Sequence, residues 1–314
     1  MSKNTLKQVK TRREMSKAEW TWFLVRKNKM AYFMVAPFMI LFFLFTIIPV
    51  FFSLILSFTS FNMLEVPKFV FMDNYITLFL DDDLFLTALK NTLIFAVIVG
   101  PSSYIISFAV AWFINELSPK VRAFVTLIFY APSIAGNVYL IWGTMFSGDQ
   151  YGYVNGFLMK LGLIDAPILW FKNPAYIMPL CIMVALWTSL GTSFLSFIAG
   201  LQGINKSLFE AGAIDGVKNR WQELWFITLP SMKPQLMFGA IVSITGSFGF
   251  GGIVSALAGN PPVDYVGYTL SHHLSEYSGT RWEVGYACAI SFLMFLMMIG
   301  ANLLVTKLIS KLGE

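Results

Sequence analysis

Ser207–Pro230 reads SLFEAGAIDGVKNRWQELWFITLP and places Glu210, Asp215, Lys218, Arg220 and Glu223 within fourteen residues. The runs that flank it, 173–205 and 234–263, contain no Asp, Glu, Lys or Arg. A compact charged insert between two long apolar runs is the reading on which the fold turns. The whole chain of 314 residues is 57% hydrophobic and 12% charged, against about 25% charged for soluble domains. So little charge does not cover a water-facing surface. A hydrocarbon core about 30 Å thick is crossed by roughly 20 apolar residues in a helix. Six charge-free runs are long enough: 30–64, 91–115, 123–148, 173–205, 234–263 and 284–306. They lack the alternating ten-residue pattern of a membrane β-barrel. The expected fold is an all-α integral membrane protein with six transmembrane helices, at approximately 33–59, 91–115, 123–146, 175–203, 234–257 and 284–306. Residues 30–310 then form one membrane domain, with the charged elbow 206–230 between its fourth and fifth helices.

Charge orients this bundle. With the N-terminus inside, the inside segments hold 17 of the 22 Lys and Arg. By the positive-inside rule both termini are cytoplasmic. The net charge of +5 therefore reflects topology and gives no ground for a nucleic-acid partner. Residues 1–29 are polar and basic, and the apolar run that follows is too long for a cleavable signal peptide. They read as a cytoplasmic tail with an interfacial helix, Trp20, Trp22 and Phe23 beside Arg26, Lys27 and Lys29.

Within the insert, Ser207 and Glu210 have capping-box spacing, and Gly216 stands where a left-handed residue ends a helix. Ala211, Gly212 and Ala213 are small enough for another surface to approach the backbone. The segment WQELWFI starts a second helical piece, and Pro230 and Pro234 lead into the fifth span. Among the connections on the opposite side, 60–90 is acidic, and 147–174 is rich in Gly, Pro, Asn and aromatic residues. The latter reads as an ordered cap with short helices. His272, His273 and Glu276 lie together in 257–283, but adjacent histidines on a helix diverge by about 100°, and no third ligand has zinc-site spacing. No metal site is expected. Cys181 and Cys288 follow no redox or metal spacing and read as packing residues.

The motif E-A-G-x-x-D-G followed by I-T-L-P resembles the EAA loop of binding-protein-dependent ABC importer permeases, above all the sugar branch of maltose and glycerol-phosphate type. Glu210 and Ala211 match, Gly212 replaces the second alanine, and Asp215-Gly216 matches the sugar branch. Ile227-Thr228-Leu229-Pro230 comes one residue later than the commonest spacing, which is expected to lengthen the turn at 217–220. NYITLF at 74–79, ALKNTLIF at 88–95, YAPSIAGNVYLIWGTMF at 130–146, GYVNGFLMKLGL at 152–163 and WEVGYACAISFLMFL in the last span extend the resemblance over roughly 74–306.

The resemblance implies a subunit of an importer in the bacterial cytoplasmic membrane. Its implied partners are a second homologous permease, favouring a heterodimer, two ABC ATPase subunits and an extracytoplasmic binding protein that delivers a sugar or oligosaccharide. ATP and Mg²⁺ are then used by the ATPases, and this chain binds no cofactor and catalyses nothing. It carries no Gly-x-x-x-x-Gly-Lys-Ser/Thr phosphate loop. The ATPase contact falls on Glu210, Ala211, Gly212, Asp215 and Gly216, with Leu229 and Pro230 shaping the elbow. No span has an Asp, Glu, Lys or Arg at its centre, which speaks against an ion-coupled carrier and against a charged solute held by countercharges. A membrane enzyme built on His272, His273, Glu276 or Asp264 is the remoter alternative. Hydroxyl, amide and aromatic groups suited to a neutral sugar are Trp187, Thr188, Ser189, Thr192 and Ser193 in the fourth span. In the fifth they are Ser243, Thr245, Ser247 and Asn260. The glycines of GSFGFGG, 246–252, serve close packing or a locally unwound backbone.

Overall fold

The computed structural model describes residues 16–310; the tail expected over 1–29 therefore falls partly outside the described residues. The chain divides into two units, 1–55 and 56–314. In the first, α1 (Lys17–Lys27) opens on a capping box, with the Ser16 hydroxyl accepting from the Glu19 amide and Glu19 accepting from the Ser16 amide. The guanidinium of Arg26 lies 5.1 Å over the Trp22 ring. α2 (Lys29–Leu56) is an apolar helix of 28 residues, with a π turn at Phe43–Ile47.

The second unit begins with a two-stranded antiparallel ribbon, β1 (Thr59–Ser60) and β2 (Lys68–Phe69), followed by α3 (Asp73–Leu80). α4 (Asp83–Asn115) has 33 residues and is capped by Asp82, whose carboxylate accepts from the Phe85 amide at 2.8 Å. At 1.5 Å per residue it is about 50 Å long, and it starts eight residues before the expected span. It runs through all three apolar clusters of this unit. Phe85 and Ala88 pack with Tyr268, Leu270, Tyr286 and Ile290 at one end. Phe95 and Val99 meet Ile177, Cys181 and Val254 in the middle. Ala111 and Ile114 meet Phe194, Phe197, Met232 and Leu236 at the other end.

Of the six expected spans, the first, second and last are continuous helices long and apolar enough to cross a membrane, the last being α15 (Val284–Ser310). The other three are interrupted, which corrects the expectation of unbroken helices. α5 (Pro119–Ile134) stops at Ala135, Asn137 takes a left-handed φ of 57°, and α6 (Leu140–Met145) follows. α8 (Pro174–Thr188) and α9 (Thr192–Gln202) are bent by 41° across Ser189–Gly191. Lys233–Ser247 and Gly251–Ala258 are bent by 42°. The breaking residues are Gly, Ser, Ala, Asn and Phe, all uncharged, so a charge-free run conceals them. Between α6 and α8 the cap contains α7 (Tyr153–Lys160). After α9 come α10 (Lys206–Ile214) and α11 (Arg220–Glu223), then the fifth span as α12 (Lys233–Ser247) and α13 (Gly251–Ala258). α14 (Leu270–Ser275) precedes α15.

Small residues let α4, α9 and α12 approach closely. A side chain at Gly239 would run into the Phe197 ring, and one at Gly200 would meet Met232 and Gln235 at 2.8 and 2.9 Å. In a bilayer, where lipid is as apolar as leucine, such close packing is what holds helices together.

Candidate functional site

The elbow is two short helices joined by a glycine turn. Asn205, not Ser207, caps α10, its carboxamide oxygen accepting from the Ser207 amide at 3.1 Å. The expected capping box at Ser207 and Glu210 therefore does not form, because the helix starts two residues earlier on an Asx cap from Asn205. At the other end the Val217 amide donates to Gly212 O at 2.9 Å and the Gly216 amide to Ala213 O at 3.4 Å. This pairing is a Schellman end, and it requires the left-handed Gly216, whose φ is 94°. Asn219 then caps α11 by accepting from the Gln222 amide at 2.9 Å. Gln222 in turn accepts from the Lys218 amide at 2.7 Å.

The turn at 217–220 is thus held by successive hydrogen bonds. α11 runs on into a π turn at Leu224–Thr228, just ahead of Leu229 and Pro230. Its wider bond runs from the Leu229 amide to Leu224 O, and Pro230, with no N–H to donate, does not continue it.

Glu210, Ala211, Asp215, Gly216 and Pro230 are exposed, and Leu229 is half-buried. Gly212 is buried: a side chain there would meet Ile227 Cδ1 at 2.6 Å. Its small size serves packing between the two elbow helices, which corrects its placement on the approachable surface. Ile214, not among the expected contact residues, is 88% exposed at the tip. Arg220 bridges Glu223 at 3.0 Å and Glu116, at the end of α4, at 3.4 Å. Trp221 lies 5.4 Å from Trp112 of α4. Nothing local in the sequence predicted those contacts between the elbow and α4.

The three helix breaks converge. One cavity of about 400 Å³ is lined by Ser133, Asn137 and Tyr139 from the first break, Thr188 from the second, and Gly249 and Phe250 from the third. Of the nine residues expected along a solute path, Thr188 alone lines it. Thr188 and Ser189 turn their hydroxyls back onto α8, to Val184 and Ala185 and to Leu186. Ser193 donates to Gly239 O and meets Ser243 at 3.2 Å, so both link α9 to α12. Thr245 accepts from Asn302 of α15. Ser247 is buried against Gly100 and bonds Ile244 O. Trp187 stands edge-on to Trp142 at 5.5 Å. Thr192 and Asn260 are exposed. Hydroxyls near the right depth were legible, but which side of each helix faced the cavity was not. Ser133 and Asn137 carried a signal, the PSIAGN run within the resemblance at 130–146.

GSFGFGG fulfils both of its readings. The helix breaks at 248–250, and a side chain at Gly251 would meet Thr269 Oγ1 at 2.7 Å.

At the end of the bundle away from the elbow, α14 is held by a polar network. His273 Nε2 lies 2.9 Å from Asp82 Oδ2, which also accepts from the Tyr286 hydroxyl at 2.8 Å. Tyr268 donates to Glu276 at 2.9 Å, and Glu276 accepts from Arg281 Nε at 2.9 Å. Burial alone raises the Asp82 carboxyl, but the Phe85 amide, the Tyr286 hydroxyl and His273 outweigh it and hold it below the usual range. Burial lowers His273 against the pull of Asp82, and it pushes His272 down to about 4. His272 Nδ1 accepts from the Thr269 amide at 3.1 Å. His273 thus ties α14 to the start of α4, while His272 bonds Thr269 at the head of its own helix, and among the described residues no three metal-ligating side chains come together.

The 147–172 cap is ordered around the buried Asn155. Its amide reaches Ser147 O, Asp149 O and Ile168 O, and its oxygen accepts from Ile168 N and Trp170 Nε1.

This arrangement has known counterparts. The probable ABC transporter permease protein YesP of Bacillus subtilis is 33% identical over 288 residues, 90% of each chain. The arabinooligosaccharides transport system permease protein AraP of the same organism is 29% identical over 295 residues, 92% of this chain and 91% of that one. A chain in the crystal structure of a bacterial alginate ABC transporter, in complex with an alginate pentasaccharide-bound periplasmic protein, superposes with a TM-score of 0.73. That likeness, at 22% identity, covers 90% of this chain and 94% of that one. Residues 107–313 match the family described as binding-protein-dependent transport system inner membrane component. The chain therefore belongs to that family and is a multi-pass permease component of the cytoplasmic membrane.

Proposed function

We propose that this chain forms the translocation path for a neutral sugar or oligosaccharide in an ATP-driven importer. The observation that carries the reading is the convergence of three helix breaks on one cavity of about 400 Å³, lined by Ser133, Asn137, Tyr139 and Thr188 and by no Asp, Glu, Lys, Arg or His. Uncharged hydrogen-bonding groups with an aromatic ring suit a polyhydroxylated solute, and unwound backbone at membrane depth is tolerated where it lines a cavity. Saccharide transport by the relative AraP supports the same class.

In this reading six spans cross the membrane with both termini cytoplasmic, so the elbow faces the cytoplasm. The exposed Glu210, Ala211, Asp215 and Gly216 meet an ABC ATPase, with Ile214 at the tip, Gly212 packed inside the elbow, and Leu229 and Pro230 shaping it. Two ATPase subunits use ATP and Mg²⁺, a second homologous permease completes a heterodimer, and a binding protein delivers solute from outside. Of the expected path residues, Thr188 contacts solute. Ser193, Ser243, Thr245 and Ser247 hold the helices that frame the path, and Trp187, Ser189, Thr192 and Asn260 lie off the cavity.

The test is purification of tagged chain from its native membrane in mild detergent, identification of co-purifying chains by mass, and reconstitution in proteoliposomes. A second permease and a phosphate-loop ATPase, with saccharide uptake that requires ATP, are expected. A chain that purifies alone and transports on an ion gradient without ATP refutes the reading.

A further inference from the structure

Beyond its first turn, α5 carries four polar side chains: Arg122, Thr126, Tyr130 and Ser133. Steps of four, four and three residues keep them within an arc of about 80°. Phe124 and Ile128 stand on the opposite arc, 64% and 53% exposed. Three cavities succeed one another along the polar arc. Ser133 lines the break cavity. Tyr130, Thr126 and Arg122 face Ile198 and Gln202 of α9 across a cleft of about 520 Å³. A further cleft of about 520 Å³ shares Arg122 and Gln202 and opens among Lys206, Arg220 and Glu223 of the elbow.

Two details fit a groove that receives hydrogen-bonding groups. Thr126 Oγ1 is enclosed but has no hydrogen-bond partner, although a helical threonine ordinarily bonds the carbonyl one turn back. Arg122 reaches across to a neutral acceptor, Asn115, at 3.2 Å to its carbonyl and 3.3 Å to its side chain. In a bilayer, polar groups facing lipid are costly, so this arc belongs to the interior.

We propose that the polar arc of α5 is the inward half of the solute route: a hydrogen-bonding group at each turn passes saccharide hydroxyls from the break cavity to the elbow cleft. The proposal rests on the importer reading and assigns it an exit. It also ties the exit to the motor contact. Arg220 and Glu223 line the mouth, and Arg220 joins the elbow to Glu116 of α4. A movement of the elbow therefore changes the width of the opening through which solute leaves.

The experiment uses the assembled importer in inside-out vesicles, with Cys181 and Cys288 replaced by alanine and single cysteines placed on α5. The probe is a membrane-impermeant, positively charged thiol reagent. Thr126→Cys and Tyr130→Cys are expected to react at least about tenfold faster than Phe124→Cys and Ile128→Cys, which face hydrocarbon that excludes a charged reagent. Trapping with ATP and vanadate is expected to slow the two arc cysteines and leave the other two unchanged.

Equal rates on both faces overturn the route. In the otherwise unaltered importer, Thr126→Trp is expected to abolish ATP-driven uptake while Ile128→Trp retains it, and full uptake with Thr126→Trp likewise overturns it. Either outcome leaves the importer reading standing when the unaltered complex transports. An unaltered complex without ATP-driven uptake removes that reading and the route with it.

Discussion

Replacing Asn155 by alanine strikes a side chain that ties the 147–172 cap together. Asn155 is fully buried. Its two amide hydrogens are shared among Ser147 O at 3.0 Å, Asp149 O at 3.2 Å and Ile168 O at 3.0 Å. Its oxygen accepts from Ile168 N at 3.1 Å and Trp170 Nε1 at 3.0 Å. Two hydrogens and two lone pairs make about four effective bonds. At about 1 kcal/mol net for each, Asn155→Ala costs the cap about 4 kcal/mol. Since about 1.4 kcal/mol is a factor of ten in an equilibrium, local opening rises by about a thousandfold. Hydrogen exchange of the complex, read by mass spectrometry, should show the 147–172 amides accelerated toward that factor while those of α4 are unchanged. Asn155→Asp keeps the acceptor but turns a negative charge on three carbonyls, so it should be at least as disruptive. Exchange in the cap altered by less than about threefold in Asn155→Ala, where about a thousandfold is expected, would refute the reasoning.

Gly216→Trp should leave membrane insertion intact and abolish ATP-driven uptake. Nothing lies within 4 Å of a side chain at Gly216, so bulk there meets only a partner, at a backbone strain of about 1–2 kcal/mol; retained uptake in an assembled complex removes the coupling role. Gly239→Val forces methyl groups into the Phe197 ring and should cost about 1–3 kcal/mol, seen as a lower unfolding midpoint in detergent; an unchanged midpoint contradicts the packing. His272, whose pKa falls from 6.5 to about 4 in the fold, stabilises as the neutral ring. That contribution is complete above pH about 6.5 and is lost as pH falls toward 4, with about 2 kcal/mol gone at pH 5. The unfolding midpoint should drop between pH 8 and pH 5 by less in His272→Gln than in the parent, and equal drops count against it.

Several features were legible before any coordinates. The insert 206–230 stood out by charge alone, and Gly216 by its place after an apolar helical turn. The structure bears out Gly216 as the left-handed end of α10. The cap at 147–174 was expected to be ordered with short helices, and α7 is one. Other readings failed for definite reasons. Ser207 lost the cap to Asn205 because both are good caps and only backbone placement chooses between them. Gly212 was placed on the surface because a small residue looks the same whether it admits a partner or the chain's own Ile227. The hydroxyls of Ser189, Ser193, Ser243 and Ser247, offered to solute, bond the protein instead. Their carbonyl and hydroxyl partners lie one turn back or on a helix some fifty residues away.

The sequence by itself determined what depends on composition and near neighbours: a charge-poor chain bound for the membrane, the apolar runs, the charged elbow between two of them, and the motif that places it in its family. The tertiary structure alone decided where two of those runs break, the third break being legible in the glycines of GSFGFGG, and also that the breaks share one cavity and that α5 turns its polar arc toward α9. Bonds such as Asn91 to the Tyr268 carbonyl, 177 residues apart, and His273 to Asp82, 191 apart, leave no periodic trace. A helix break made of uncharged residues costs nothing in hydropathy. The direction a side chain faces is set by what packs against the helix, and those partners become neighbours only when the chain has folded.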